Sequence, residues 1–287
     1  MGERKKLKLD LVLAIVAVGA VCIAVLGLCV FDHRNEEPAR PWVGLNDPLP
    51  HPVLRPFGAG EELSFEFGWN GAPCADFHMS LKEEEKDGAP KLVLGYEGHT
   101  REQIARVWSY RVSGTTYLDQ QTLLPCLSER TSEEKDKLKQ LTIEFDRSAG
   151  IAHVVEERPY KNKRKELRIP FRMGLDLPGA VFFARTLEMP MDKPVVLEVL
   201  QGETTYAVEM TPVRREKVQV KAGTFDALAV ELRLRALGGT DEERAEEEAK
   251  YRKICIWFSD DERRLPVKLE CEVFVGSVYA ELVSAGL

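Results

Sequence analysis

The sequence predicts a mainly β protein, with an antiparallel, strongly curved sheet or open barrel, one packed helix and a separate N-terminal transmembrane helix. Three observations support this prediction. Short segments in which apolar and polar residues alternate fill most of the chain after residue 57. Only residues 176–189 have the pattern of a buried helix beyond that point. An apolar run without a charged side chain occupies residues 11–31.

The apolar run at residues 11–31 is long enough to cross a bilayer, because a helix rises about 1.5 Å per residue. Only two basic residues, Arg34 and Arg40, follow the run closely, whereas four precede it: Arg4, Lys5, Lys6 and Lys8. The positive-inside rule therefore predicts a single-pass signal anchor, with a cytoplasmic N-terminus and with the residues after 31 across the membrane. A cleaved signal peptide is the alternative, although its apolar core is normally about 7–15 residues long.

The composition divides the chain into four parts. Residues 1–10 form a basic cytoplasmic tail and residues 11–31 the anchor, and a proline-rich linker (32–56) leads to a β-domain across the membrane (57–287). Proline at the density of this linker favours extended structure over helix. The net charge of −7 argues against nucleic acid as a partner, and also against docking on anionic lipid headgroups.

The first predicted hairpin has the clearest alternation in the chain. Its turn is Asn70-Gly71, a pair that favours tight hairpin turns. The apolar positions on either side of this turn are Leu63, Phe65, Phe67, Trp69, Ala75, Phe77, Met79 and Leu81. One or two helical turns are expected between residues 100 and 109. Further strands are predicted near 92–96, 110–118, 123–133, 138–147, 150–158, 162–169, 194–201, 204–213, 225–236, 250–259, 265–275 and 277–284.

The predicted helix at residues 176–189 begins with typical start signals. Asp176 is a favourable N-cap residue, and Pro178 falls in the first turn, where a missing backbone N–H costs little. The turns that follow are apolar on nearly all sides, which indicates a helix buried against the sheet.

The cysteines beyond residue 31 show no metal-like spacing. Cys255 and Cys271 lie on neighbouring predicted strands, but the alternation places them on opposite faces. Directly paired strand residues share a face, so these two cysteines are expected to be free and mostly buried thiols.

Several short motifs occur in a fixed order along the chain. The closing hairpin, Trp257 to Val267 (WFSDDERRLPV), is the most specific of them, and it follows the turn Ala222 to Ala227 (AGTFDA). Earlier come Gly60-Glu61, Phe145-Asp146 and the Asp176 to Arg185 helix. This ordered set resembles the bacterial family called domain of unknown function 3108. The resemblance implies an exported β-rich domain and no established activity. With the predicted anchor, it implies a bacterial inner-membrane protein whose β-domain (57–287) is periplasmic.

No catalytic, cofactor or metal motif is found in the sequence. The five histidines lack ligand spacing, and the chain contains no nucleophile elbow, Walker A loop or dinucleotide fingerprint. The sequence therefore assigns no catalytic residue, metal or cofactor, and an enzyme has the least support among the function classes.

A curved sheet with one apolar face and one helix to cover it has the outline of lipocalins and of half-barrel lipoprotein carriers. Such a sheet encloses a cavity when its side chains do not fill the interior. The first hypothesis is that a lipid or acyl chain binds in this cavity. The alternative is an envelope scaffold or assembly factor that holds a partner protein. The candidate cavity residues are Phe65, Phe67, Trp69, Phe77, Met79, Phe182 and Phe183.

Overall fold

A computed structural model describes residues 48–86, 88–238, 252–273 and 276–286. The predicted anchor at residues 11–31 and the acidic stretch 240–249 lie outside these residues. Within them the chain forms one antiparallel sheet of 14 strands and two α-helices. The strands are β1 (Glu62–Trp69), β2 (Ala72–Lys86), β3 (Ala89–Thr100), β4 (Tyr110–Asp119), β5 (Pro125–Glu134), β6 (Lys137–Asp146), β7 (Ile151–Arg158), β8 (Lys163–Pro170), β9 (Val195–Gln201), β10 (Thr204–Val220), β11 (Gly223–Ala236), β12 (Arg252–Ser259), β13 (Pro266–Glu272) and β14 (Ser277–Gly286).

The helices are α1 (Glu102–Ala105) and α2 (Leu177–Arg185). The prediction of a helical turn between residues 100 and 109 is confirmed by α1. The predicted helix 176–189 is confirmed in place, but it ends four residues earlier than predicted. It ends there because the Thr186 hydroxyl donates to the Phe183 carbonyl oxygen (2.7 Å) and Pro190, shortly after, disfavours a helical residue before it.

The strand order explains how the sheet curves. From one edge to the other it runs β8-β7-β6-β5-β4-β3-β2-β1-β14-β13-β12-β11-β10-β9, so the first and last parts of the chain meet where β1 pairs with β14. The first hairpin has the predicted apolar face, with Phe65 opposite Phe77 and Phe67 opposite Ala75. In the β12–β13 hairpin Cys255 faces Glu270 and Cys271 faces Ile254, so the two cysteines lie on opposite faces.

The sheet does not close through hydrogen bonds between its edge strands β8 and β9; instead it rolls past itself. Neighbouring residues of β9 point to opposite faces, and Val199 belongs to the main core. Leu200 belongs to a second apolar cluster with the inner face of β6–β8: Leu141, Ile143, Phe145, Ala152 and Val154. The inner face of β6–β8 therefore covers the outer face of β9.

Residues 171–176, which we call the strap, cross the seam between the two edges. The Glu198 carboxylate of β9 accepts hydrogen bonds from the backbone N–H groups of Arg172 (2.8 Å), Met173 (3.1 Å) and Gly174 (3.3 Å). From the turn between β6 and β7, Arg147 donates to the carbonyl oxygens of Met173 (2.7 Å) and Gly174 (3.0 Å). The strap is thus fixed through its backbone to the edge strand β9 and to the β6–β7 turn.

Gly174 is required at its place in the strap. Its φ of +59° lies in the left-handed region, and a Cβ atom there would come within 2.6 Å of the Phe171 ring. Only glycine adopts this conformation without a steric penalty. The turn directs the chain from the seam into the interior, where α2 begins.

Helix α2 fills the interior of the rolled sheet. It is buried on most sides, and Phe182 and Phe183 are both 1% exposed. Its C-terminal end lies beside the start of β1, where Arg185 contacts Glu61. The main core surrounds this helix, and one space next to it is not filled.

Candidate functional site

A cavity of about 60 Å³ lies between α2 and the inner face of the sheet. Its lining residues are Phe65, Phe67, Phe77, Met79, Leu177, Pro178, Val181, Ile256, Pro266, Lys268, Leu269 and Ala280. All of them except Lys268 are apolar. The Lys268 ammonium group is engaged elsewhere, 2.7 Å from the Glu270 carboxylate and 5.5 Å from the centroid of the Trp257 ring. The cavity therefore has an apolar wall.

Four of the seven predicted cavity residues line this space: Phe65, Phe67, Phe77 and Met79. The other three lie elsewhere in the interior. Phe182 packs against Phe57, with ring centroids 5.1 Å apart, and Phe183 is enclosed in the core. Trp69 is half-buried at the last position of β1. Ligand contact by any of the seven stays a prediction.

Sequence reasoning missed Leu177 and Val181, the helix residues that complete the wall. The helix was predicted, but an apolar pattern on all sides does not indicate which side faces a gap in the sheet. Ile256, Leu269 and Ala280 were also missed, although each occupies an inward position of a predicted strand. Alternation predicted that these residues point to the inner face of the sheet. It did not predict which of the inward residues lie next to the cavity.

One end of the interior, which we call the sealed end, contains a fully buried ion pair. Arg185 is 0% exposed and Glu61 is 1% exposed. The Arg185 guanidinium donates two parallel hydrogen bonds to the Glu61 carboxylate (2.7 and 2.8 Å) and one to the Arg263 carbonyl oxygen (2.9 Å). Its central carbon also lies 4.9 Å from the ring centroids of both Phe57 and Phe182.

The predicted linker contributes to the sealed end. The backbone N–H groups of Val53 and Leu54 both donate to the Thr186 carbonyl oxygen (3.0 Å each), at the C-terminus of α2. Arg55 donates to the Gln120 carbonyl oxygen (3.1 Å), and Phe57 is buried against the helix. Hydrogen bonds between the predicted linker and the domain thus begin at Val53, before the predicted boundary at residue 57.

The N-terminal end of α2 is fixed by Asp176, which is fully buried. Its carboxylate accepts hydrogen bonds from the Thr116 hydroxyl, from the Ser128 hydroxyl (2.7 Å) and from the Gly179 backbone N–H (3.0 Å). The predicted N-cap is therefore confirmed, with two further donors from β4 and β5. Burial raises the pKa of the Asp176 carboxyl group, while these three hydrogen bonds act in the opposite direction.

The other end of the interior, which we call the open end, has a ring of half-buried apolar side chains. The ring consists of seven partly exposed residues: Trp69, Leu177, Val181, Val208, Leu232, Leu234 and Leu269. At the sealed end Phe57, Leu63, Leu123, Leu187 and Leu265 are buried, although Val53 and Leu54 of the predicted linker are 47% and 43% exposed there. Because Leu177 and Val181 also line the cavity, the cavity adjoins the open end.

Two further observations concern the described residues only. No helix in them is long and apolar enough to cross a membrane. They also contain no group of three or more histidine, cysteine, aspartate or glutamate side chains arranged to bind a metal ion.

The fold and the cavity define a class: a rolled antiparallel sheet around a buried helix, with an apolar space beside that helix. A family model described as "Protein of unknown function (DUF3108)" matches residues 64–283. The chain belongs to this family, as the ordered motifs predicted. No curated protein matches the chain.

Two solved structures show a low-scoring likeness to the chain. One is a β-barrel-like protein of the domain of unknown function DUF1849 from Brucella abortus, with 9% identity and a TM-score of 0.49, covering 83% of this chain and 98% of that one. The other, from Bacteroides fragilis, is described as having a YmcC-like fold, with 11% identity and a TM-score of 0.33 over 83% of this chain and 100% of that one. Both TM-scores are below 0.5, so neither likeness supports a conclusion about this chain.

Proposed function

We propose that this chain is a membrane-anchored periplasmic protein that binds an apolar ligand, such as an acyl chain, beside helix α2. The cavity between α2 and strands β1, β2, β12, β13 and β14 is the observation that carries the proposal. Its wall is apolar, and it shares Leu177 and Val181 with the partly exposed apolar ring at the open end. Apolar concave sites of this kind are typical of small-molecule binding.

The size of the cavity sets a condition on binding. Its volume of about 60 Å³ is smaller than the roughly 150 Å³ that admits a benzene molecule. An acyl chain therefore requires the interior to widen. Met79, which is flexible and lines the cavity, and the half-buried Val181 are the side chains best placed to move.

The anchor at residues 11–31 is part of the proposal. Its length and the four preceding basic residues support a periplasmic location for the β-domain. In that location the domain works beside a bilayer, which is a source of acyl chains.

A photoreactive fatty acid tests the proposal in cells that express the full chain. After irradiation, we expect adducts on peptides from β1, β2 and α2, located by mass spectrometry. Ala280→Val fills the cavity with two extra methyl groups, and it should lower these adducts by about tenfold because overpacking opposes the bound state. Ala285→Val is the matched control on the same strand, outside the cavity wall.

Three outcomes contradict the proposal. Adducts confined to residues 11–31 would show only that the anchor contacts lipid. Equal labelling of both variants and the unaltered chain would show that the fatty acid does not enter this cavity. No labelling of the domain would favour the alternative, a scaffold that holds an envelope protein.

A further inference from the structure

Arg130 is a cation on the inner face of the sheet. It lies opposite Gly114 on β4 and Leu141 on β6, in the row that also contains Tyr96. Its side chain is half-buried, and it makes no hydrogen bond or ion pair within the part of the chain that the structure describes. Its five N–H donors are therefore available to a ligand or to solvent.

The position of Arg130 links it to the apolar cavity. A small space of about 10 Å³ is lined by Arg130, Tyr96 and Ser128, and by Leu177 and Pro178 of α2. The same two helix residues line the apolar cavity. An unpaired cation and an apolar space are therefore separated only by the first turn of α2.

Asp176 also borders the small space, but it does not neutralise Arg130 by a direct bond. Its carboxylate accepts hydrogen bonds from Thr116, Ser128 and the backbone of Gly179. Burial raises the pKa of this carboxyl group, which favours its uncharged form and weakens its repulsion of a nearby anion.

We infer that Arg130 binds the acidic headgroup of an amphiphile whose apolar tail lies in the cavity beside α2. This inference rests on the proposed function and names the class of its ligand. The space of about 10 Å³ admits about one water molecule, so the headgroup lies on the solvent side of Arg130. A guanidinium is well suited to this role, because it donates paired hydrogen bonds to carboxylate or phosphate oxygens.

The experiment compares two photoreactive probes of equal chain length, a fatty acid and the corresponding fatty alcohol. The full chain is placed in nanodiscs of zwitterionic lipid at a pH where the acid is ionised. We expect the acid to label the cavity peptides about tenfold more than the alcohol, since hydrogen bonds between charged groups are the stronger ones.

Three variants identify the contribution of Arg130. Arg130→Gln should lower labelling by the acid about tenfold and leave labelling by the alcohol unchanged, and Arg130→Lys should restore part of the loss. Arg111→Gln is the matched control, because Arg111 is an exposed arginine on the neighbouring strand that also has no hydrogen bond or ion pair within the described residues. Arg111→Gln should leave the labelling by both probes unchanged.

Any one of the following three results would overturn the inference. Equal labelling by acid and alcohol in the unaltered chain would leave the apolar site intact and remove the headgroup contact. An equal loss of labelling by both probes in Arg130→Gln would show that Arg130 only stabilises the fold and does not contact the headgroup. If neither probe labels the cavity, the proposed function fails together with the inference.

Discussion

The sealed and open ends of the interior are built from the same strands, yet the chain fills them differently. At the sealed end, Phe57 and Leu265 are buried, and Val53 and Leu54 bind the end of α2 through their backbone. At the open end, Leu177 and other apolar side chains stay partly exposed. Because Leu177 also lines the cavity, we expect a ligand to enter from the open end.

The two ends of α2 also differ in how a buried charge is satisfied. Arg185 is paired with Glu61, a group of opposite charge. Asp176 has only neutral donors: two hydroxyl groups and one backbone N–H. Removing Arg185 leaves the buried Glu61 carboxylate with only the Arg263 guanidinium, 3.8 Å away, whereas Asp176 can lose its charge by taking up a proton.

The largest effect is expected from Arg185→Met at the sealed end. The substitution leaves the buried Glu61 carboxylate with only the more distant Arg263 guanidinium (3.8 Å), so the free energy of unfolding should fall by about 4 kcal/mol. Urea denaturation of the chain from residue 48 onward measures it. The double variant with Glu61→Leu is the control, and it should recover much of the loss because no unpaired charge remains. Equal losses in the single and double variants would contradict this explanation.

A paired truncation compares the apolar packing of the two ends. Leu265→Ala at the sealed end should cost about 3 kcal/mol of unfolding free energy, because Leu265 is 2% exposed and leaves a cavity. Leu234→Ala at the open end should cost only about 1 kcal/mol, since Leu234 is already half-buried. Both values come from denaturant titration. Similar costs at the two ends would show that the open end is packed as tightly as the sealed end.

The smallest effect concerns the pH dependence that Asp176 introduces. Its pKa is raised in the folded state, so the native chain binds this proton more tightly than the unfolded chain does. Asp176 therefore contributes stability at low pH, and this contribution is lost as the pH rises from about 3.8 through the raised pKa. The slope from this one group is at most about 1.4 kcal/mol per pH unit.

Asp176→Asn removes this titration and keeps an oxygen acceptor for the helix. Unfolding free energies of the parent chain and the variant, measured from pH 4 to pH 8, should diverge in favour of the variant as the pH rises. The comparison is between the two chains, because the other carboxyl groups titrate in both. Parallel curves would show that the pKa of Asp176 is not raised in the folded state.

Much of the fold could be predicted from the sequence, because local patterns control it. Alternation located the hairpins, and the Asn70-Gly71 turn and the Asp176 N-cap are local features with local causes. The end of α2 was predicted too late, because Thr186 bonds to Phe183 and stops the helix in a way that apolar periodicity does not express. The sequence also indicated four residues of the cavity wall, since strand alternation identifies inward positions.

The site depended on contacts between distant parts of the chain. Arg185 and Glu61 are 124 residues apart, and Asp176 and Thr116 are 60 apart. No pattern or spacing in the sequence predicts either of these pairings. Arg130 occupies an inward position of β5, but its significance depends on α2, which reaches it only after the strap crosses the seam.

The sequence by itself determined the strands, the buried helix, the family and a segment long enough to cross a membrane, because each of these depends on neighbouring residues or on an ordered set of motifs. Only the tertiary structure decided which edge of the sheet covers the other, where α2 lies in the roll and which end stays open. The physical reason is that strand alternation fixes the face of a side chain, whereas the curvature of a 14-stranded sheet fixes what that face meets.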